Sequence, residues 1–224
     1  MGKHNKEWGK VGFSKEYWDK NYSEPQDMDN IGNAREHARY IQTLFHLEQI
    51  EINSVIDYGF GLGYLFEEVL KIFNPYRACA IEPSEHAFLT AKERIKKPEY
   101  VAKLKLENTD LLSFTQKAKA NEKAYDLGIC TSVFQYLTDE EIEKIVPVLS
   151  RQVKYLYFSC PTDKEFKRQK EEYDFFDEYA IHRKKEKYLK WLRPHFTFVS
   201  SRMLESKHFF SDENSEFREQ IFRF

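Results

Sequence analysis

Two hydrophobic rhythms alternate along this chain. Short apolar runs of strand length recur at residues 54–58, 78–81, 125–131 and 154–159, and residues 103–107 alternate Leu104 and Leu106 with charges, also as a strand does. Between them, apolar residues return every three or four positions. Leu65, Phe66, Val69 and Leu70 mark one such stretch, and Ile142, Ile145, Val146 and Leu149 another. Continuous apolar runs are what buried parallel strands show, and the longer period belongs to amphipathic helices. The alternation predicts an α/β fold: a mostly parallel sheet with helices on both faces. Helices are expected at 34–48, 64–73, 85–95, 139–149 and 184–193, the fourth opened by the capping box Thr138-x-x-Glu141. A further strand is expected at 197–204 and a last one at 216–224, the two forming an antiparallel C-terminal hairpin. Residues 1–33 read as an N-terminal arm, 34–224 as the domain, and 163–195 as an insertion after the fifth strand.

The turn after the first strand is the most informative stretch. Asp57-Tyr-Gly59-Phe-Gly61-Leu-Gly63 separates strand from helix. Such a turn needs residues that tolerate positive φ, and the helix N-terminus behind it offers unpaired N–H groups to an electron-rich ligand. The dinucleotide fingerprint G-x-G-x-x-G fails, because Tyr64 or Phe66 stands where its third glycine belongs. A P-loop fails too, since no Gly-Lys-Ser/Thr follows. Glu82 ends the second strand, about 20 residues beyond the glycines, where nucleotide folds place a ribose-binding acid.

Asp57-x-Gly59-x-Gly61-x-Gly63 resembles the first motif of class I S-adenosylmethionine (SAM)-dependent methyltransferases. The resemblance covers roughly residues 50 to 160. It implies a Rossmann-like seven-stranded sheet and SAM as cofactor, with the glycine turn along the methionine and ribose. It implies Glu82 on the ribose hydroxyls, Asp110 on the adenine amino group with Leu111 beside the base, and Thr131 near the reactive methyl. The alternative for Asp110 is the cap of a short helix starting near Leu112. Trp18, Ser132 and Gln135 are implied for the substrate pocket, and His182 as a general base whose ordinary pKa suits an oxygen or nitrogen nucleophile. Phe13, Tyr17, Trp18 and Tyr22 fall at helical spacing, as a docking helix or a lid. Arg35 and Arg39 read as exposed arginines or as contacts to the SAM carboxylate. The Asn/Asp-Pro-Pro-aromatic tetrapeptide of the N6-amine DNA and protein glutamine methyltransferases does not follow the fourth strand.

Composition narrows the function classes. With a net charge of −2 and pI near 6.4, general charge does not hold the chain on nucleic acid. The basic run Arg183-Lys184-Lys185 reads as a solvated helix start or as a phosphate patch. No apolar run is long enough to span a bilayer and the first residues lack an apolar signal core, so a cytoplasmic protein is expected. Cys79, Cys130 and Cys160 are too scattered for a metal site or a disulfide framework. The expected partner is a small-molecule methyl acceptor. Two other readings stand beside it: a methyltransferase-like module that binds without catalysis, and methylation of RNA or protein.

Overall fold

The computed structural model describes residues 13–22, 31–95, 98–119 and 122–217. Seven strands form one sheet in the order β3-β2-β1-β4-β5-β7-β6. They are β1 (Ser54–Tyr58), β2 (Arg77–Ile81), β3 (Lys103–Glu107), β4 (Tyr125–Thr131), β5 (Val153–Ser159), β6 (Phe196–Phe198) and β7 (Met203–Ser206). The first five run parallel, and β7 lies antiparallel between β5 and β6. Helices in chain order are α1 (Lys15–Tyr22), α2 (Ile31–Leu47), α3 (Tyr64–Phe73), α4 (Glu85–Arg94), α5 (Leu111–Gln116), α6 (Asp139–Gln152), α7 (Asp163–Tyr173) and α8 (Lys185–Leu192).

Every residue of β1 is buried, as a strand covered on both faces requires. Its side chains divide by parity. Val55, with Ala78, Ala80, Leu127, Ile129, Tyr155 and Tyr157, meets Ala38, Ile41 and Phe45 of α2, Phe66, Val69 and Leu70 of α3, and Phe88 of α4. Ile56 and Tyr58, with Cys79, Ile81, Leu156 and Phe158, meet Leu111 of α5, Ile142 and Ile145 of α6, and Tyr188 and Trp191 of α8. The Tyr58 ring lies over Gly128 of β4, where an added Cβ would sit 3.2 Å from Tyr58 Cε2 and 2.7 Å from Val153 Cγ1. Its hydroxyl donates to Gln152 Oε1 at 3.1 Å. Phe60 packs near the rings of Phe66 and Phe88. Both bulky neighbours of the glycines are thus anchored in the cores.

The C-terminal hairpin is present but built differently from the expectation. The run 197–204 is two short strands with a turn between them. Ser200 Oγ accepts from the backbone N–H of Arg202 (3.3 Å) and of Met203 (3.0 Å). A serine side chain closes this turn without glycine or proline, so the apolar pattern reads straight through it. Of the strand expected at 216–224, residues 216–217 form a turn, with Phe217 buried in the first core, and the rest lies outside the described residues. α2 starts at Ile31, and α8 fills the second core rather than standing off the domain. No helix among the described residues is long and apolar enough to cross a membrane.

Candidate active site

A cavity of about 720 Å³ opens beyond the carboxyl ends of β1, β2, β4 and β5. Strand order reverses between β1 and β4, and open α/β sheets bind ligands at such a point. The volume lies within the ~300–1,000 Å³ range of small-ligand sites.

Asp57, Gly59, Gly61, Gly63, Glu82, Asp110, Leu111, Thr131, Ser132 and Trp18 all line this cavity. The glycine turn is set as much by the chain's own packing as by room for a ligand. Gly59 sits at φ +133°, and an added Cβ would lie 2.6 Å from Val133 Cγ2. Gly63, at φ +77°, would meet Ile95 Cδ1 at 2.6 Å. Gly61 donates its N–H to Glu82 Oε2 at 2.9 Å, which ties the turn to the tip of β2. The other oxygen of Glu82 accepts from Ser84 N–H at 2.9 Å.

Two buried acids therefore stand side by side at neighbouring strand tips. Burial pushes the Glu82 carboxyl up to about 7, against the pull of the Ser84 and Gly61 amides. Asp57 is also raised well above the usual carboxylate range, first by burial and then by the charge of Glu82. Its Oδ1 is buried with no hydrogen-bond partner among the described residues. A buried acceptor left unpaired costs about 1–3 kcal/mol, so a ligand that donates a hydrogen bond to it is favoured.

Asp110 is the N-cap of α5, its Oδ1 accepting from Ser113 N–H at 2.8 Å. This is the cap alternative of the sequence reading, realised with one carboxylate oxygen; Leu111 behind it is buried. On the far side of the cavity, Ser132 adopts φ +55° and its N–H donates to Ser159 O at 2.9 Å. A non-glycine residue held there is strained, a condition that gathers at functional sites.

α1 lies over the glycine turn. Trp18 Nε1 donates to Ser84 Oγ at 2.9 Å, and Ser84 Oγ donates to Phe13 O at 2.8 Å. An added Cβ at Gly61 would sit 3.4 Å from the Trp18 ring. Phe13, Tyr17, Tyr136 and Tyr179 line the cavity as an aromatic wall. Tyr22, the fourth aromatic of the expected set, ends α1 without a described side chain.

Two expected site residues lie elsewhere. His182 stacks on Phe166 at 4.2 Å and lines a separate surface depression with Arg183 and Lys187. Ring stacking with α7, a contact between residues far apart in the chain, turns it away from the cavity. Gln135 is buried beside the cavity rather than lining it. Its Oε1 accepts from Cys160 Sγ at 3.4 Å, and its backbone O accepts from Ile181 N–H at 2.7 Å. Arg183 is no phosphate patch. It is 4% exposed and donates to Phe134 O (3.1 Å), Leu137 O (2.6 Å) and Asp139 Oδ1 (2.9 Å), clamping the turn after β4. Arg35 faces Glu68 and Arg39 faces Glu36, both well exposed.

Two lining residues that the sequence reading passed over are His37 and Arg202. His37 Nδ1 and Tyr157 Oη are hydrogen-bonded at 2.6 Å. The buried stripe of α2 is Ala34, Ala38, Ile41 and Phe45, and His37 sits at its edge. That helical offset was the one available signal. No cluster of three or more metal-ligating side chains occurs among the described residues.

A family model described as a methyltransferase domain matches residues 55–155. Magnesium protoporphyrin IX methyltransferase from Synechocystis PCC 6803, with bound S-adenosylhomocysteine (SAH), is 18% identical with a TM-score of 0.56, over 89% of this chain and 95% of that one. A SAM-dependent methyltransferase from Clostridium acetobutylicum ATCC 824 is 13% identical (TM-score 0.58; 85% and 96% covered). The N-methyltransferase NodS from Bradyrhizobium japonicum WM9, in complex with SAH, is 16% identical (TM-score 0.57; 80% and 89%). No curated protein matches the chain by sequence.

Proposed function

We propose that this chain, whose residues 55–155 match a methyltransferase domain, is a class I SAM-dependent methyltransferase that binds SAM in the cavity and methylates an oxygen or nitrogen of a small molecule. One observation carries the reading: Asp57, with an unpartnered buried oxygen, stands beside Glu82 at the switch point of the sheet. Two raised acids suit a ligand that brings hydroxyl donors and positive charge. SAM fits both requirements.

In this reading Glu82 accepts from the ribose hydroxyls. Its two oxygens hold backbone amides but keep lone pairs to spare. Asp57 Oδ1 takes a donor from the ribose or methionine portion. Gly59, Gly61 and Gly63 leave the turn without side chains along that portion. Asp110, with one oxygen free of the helix cap, and Leu111 flank the adenine. Thr131 and Ser132, at the tip of β4, stand beside the methyl group. When bound, SAM supplies an electrophilic methyl on a sulfonium. The chain's task is then to orient the acceptor in line with it and exclude water, and orientation alone can be worth ~7–11 kcal/mol. The aromatic wall and Trp18 do both.

Among the described residues the cavity is lined by aromatic rings and by one arginine, Arg202, with no lysine, which favours a small acceptor over a nucleic acid. The cysteines are free thiols, Cys79 and Cys130 buried, in keeping with a reducing, cytoplasmic setting. Calorimetry with SAM and SAH tests the reading. The wild-type chain is expected to bind both, and Glu82→Ala to weaken SAM by roughly 1–3 kcal/mol. A wild-type chain that binds neither at millimolar concentration removes the proposal.

A further inference from the structure

The cavity has two chemically distinct ends. Asp57, Glu82 and Asp110 gather on the β1–β2 side. On the other side, past Thr131 and Ser159, stand His37 and Arg202. Thr131 and Ser159 are register partners in β4 and β5, so this end is one strand further from the acids. If the nucleoside occupies the acidic side, as proposed above, the acceptor enters against His37.

His37 is built to hold one orientation. It is half-buried on α2, and its Nδ1 is bonded to the hydroxyl of Tyr157, which is itself buried in β5. Nε2 makes no hydrogen bond among the described residues. The charged and titratable groups around the ring are Tyr157 from β5, Arg202 from the β6–β7 turn and, across the cavity, Asp57 from β1. Burial first, and the Arg202 charge second, lower the imidazole from its ordinary 6.5, so it is neutral at pH 7. Arg202 is exposed at the cavity rim and forms no ion pair among the described residues.

We infer that His37 Nε2 takes the proton of the acceptor nucleophile and that Arg202 holds an anionic group on the same acceptor. The acceptor is then a small, flat molecule with a hydroxyl or amine and a carboxylate or similar anion, its body against Phe13, Tyr17, Tyr136 and Tyr179. This rests on the SAM reading. The acceptor's lone pair forms the bond to the methyl carbon, the carbon–sulfur electron pair returns to sulfur, and the acceptor's proton passes to Nε2. The imidazole must then carry its own proton on Nδ1, donated to Tyr157 Oη. Tyr157 is a positioning residue that fixes this tautomer.

Three measurements on the full chain test the inference. Long-range 15N–1H correlation spectra, assigned with His37→Gln, report which ring nitrogen is protonated. Protonation on Nδ1 alone at pH 7 is expected, with mixed tautomers in Tyr157→Phe. A proton on Nε2, or a charged ring at pH 7, overturns the base. Turnover is followed as SAH release with hydroxy- and aminobenzoates, against the matching benzamides as uncharged controls. Benzoates are expected to react. Turnover of benzamides alone, or of no member, overturns the acceptor class. With a reactive benzoate, His37→Gln should lose ~100-fold or more in kcat while calorimetric SAM affinity stays within about twofold. Arg202→Gln should raise KM about two- to fivefold at unchanged kcat, the range of an exposed ion pair. An unchanged kcat in His37→Gln, an unchanged KM in Arg202→Gln, or SAM affinity lost with His37, removes that residue's role. A wild-type chain that fails to bind SAM at all refutes the underlying function instead, so the two failures are separable.

Discussion

Glu82→Gln should flatten the pH dependence of stability in the ligand-free protein. The wild-type carboxyl is moved by burial from 4.5 to about 7. Between those values the folded chain holds a proton that the unfolded chain has released. Stability therefore falls as pH rises through that window and is level above it. At 1.36 kcal/mol per pH unit, the loss between pH 5 and pH 8 is roughly 2–3 kcal/mol. Asp57 is shifted in the same direction and adds to the slope. Glutamine keeps one acceptor oxygen for the two amides of Gly61 and Ser84, so one of them loses its partner, at about 1 kcal/mol. The variant should thus be slightly less stable than wild type at pH 5 and more stable by about 1–2 kcal/mol at pH 8. Urea unfolding followed by circular dichroism at several pH values gives both curves. Parallel curves would refute the reasoning, because they would mean that Glu82 ionises in the folded protein as easily as in water. Binding should run the other way. A cationic nucleoside favours the charged acid, so SAM affinity should drop in Glu82→Gln even as stability at pH 8 rises.

Other substitutions probe single links. Gly61→Val places a branched side chain at φ +54° against Trp18, and should abolish measurable SAM binding in calorimetry while the chain still folds. Trp18→Ala removes the indole over the turn and its bond to Ser84; limited proteolysis should cut within α1 faster, and SAM should bind roughly tenfold more weakly. Arg183→Met removes the guanidinium donors from Leu137 O and Asp139 Oδ1 and leaves Phe134 O with the Leu137 N–H alone, and should lower stability in urea by about 2 kcal/mol, whereas Lys184→Met, on an exposed neighbour, should lie within about 0.5 kcal/mol of wild type.

The sequence made the sheet legible through β5, because β1, β2, β4 and β5 are rich in apolar residues and β3 alternates Leu104 and Leu106 with charges, the period of a strand with one open face. Asp57, next to last in β1, and Glu82, the residue after β2, were legible for a related reason: the carboxyl end of a parallel strand has a known destination. The glycines were found by pattern, yet two of them answer to Val133 and Ile95, contacts no local pattern contains. His182 and Gln135 were misplaced because loop side chains point where distant packing sends them, here Phe166 and Cys160. His37 was passed over for the opposite reason. It is a polar residue on a helix edge, ordinary until the sheet brings Tyr157, 120 positions away, against its ring.

Ser84 ties more together than its size would indicate. Its hydroxyl caps α4 through Ala87 N–H, receives the Trp18 indole and reaches the carbonyl of Phe13. The cover of the cavity and the first turn of a framework helix therefore share a single oxygen. Amide exchange at residues 85–88 should quicken whenever the arm swings out, so opening of the entrance can be timed from protons that never touch a ligand.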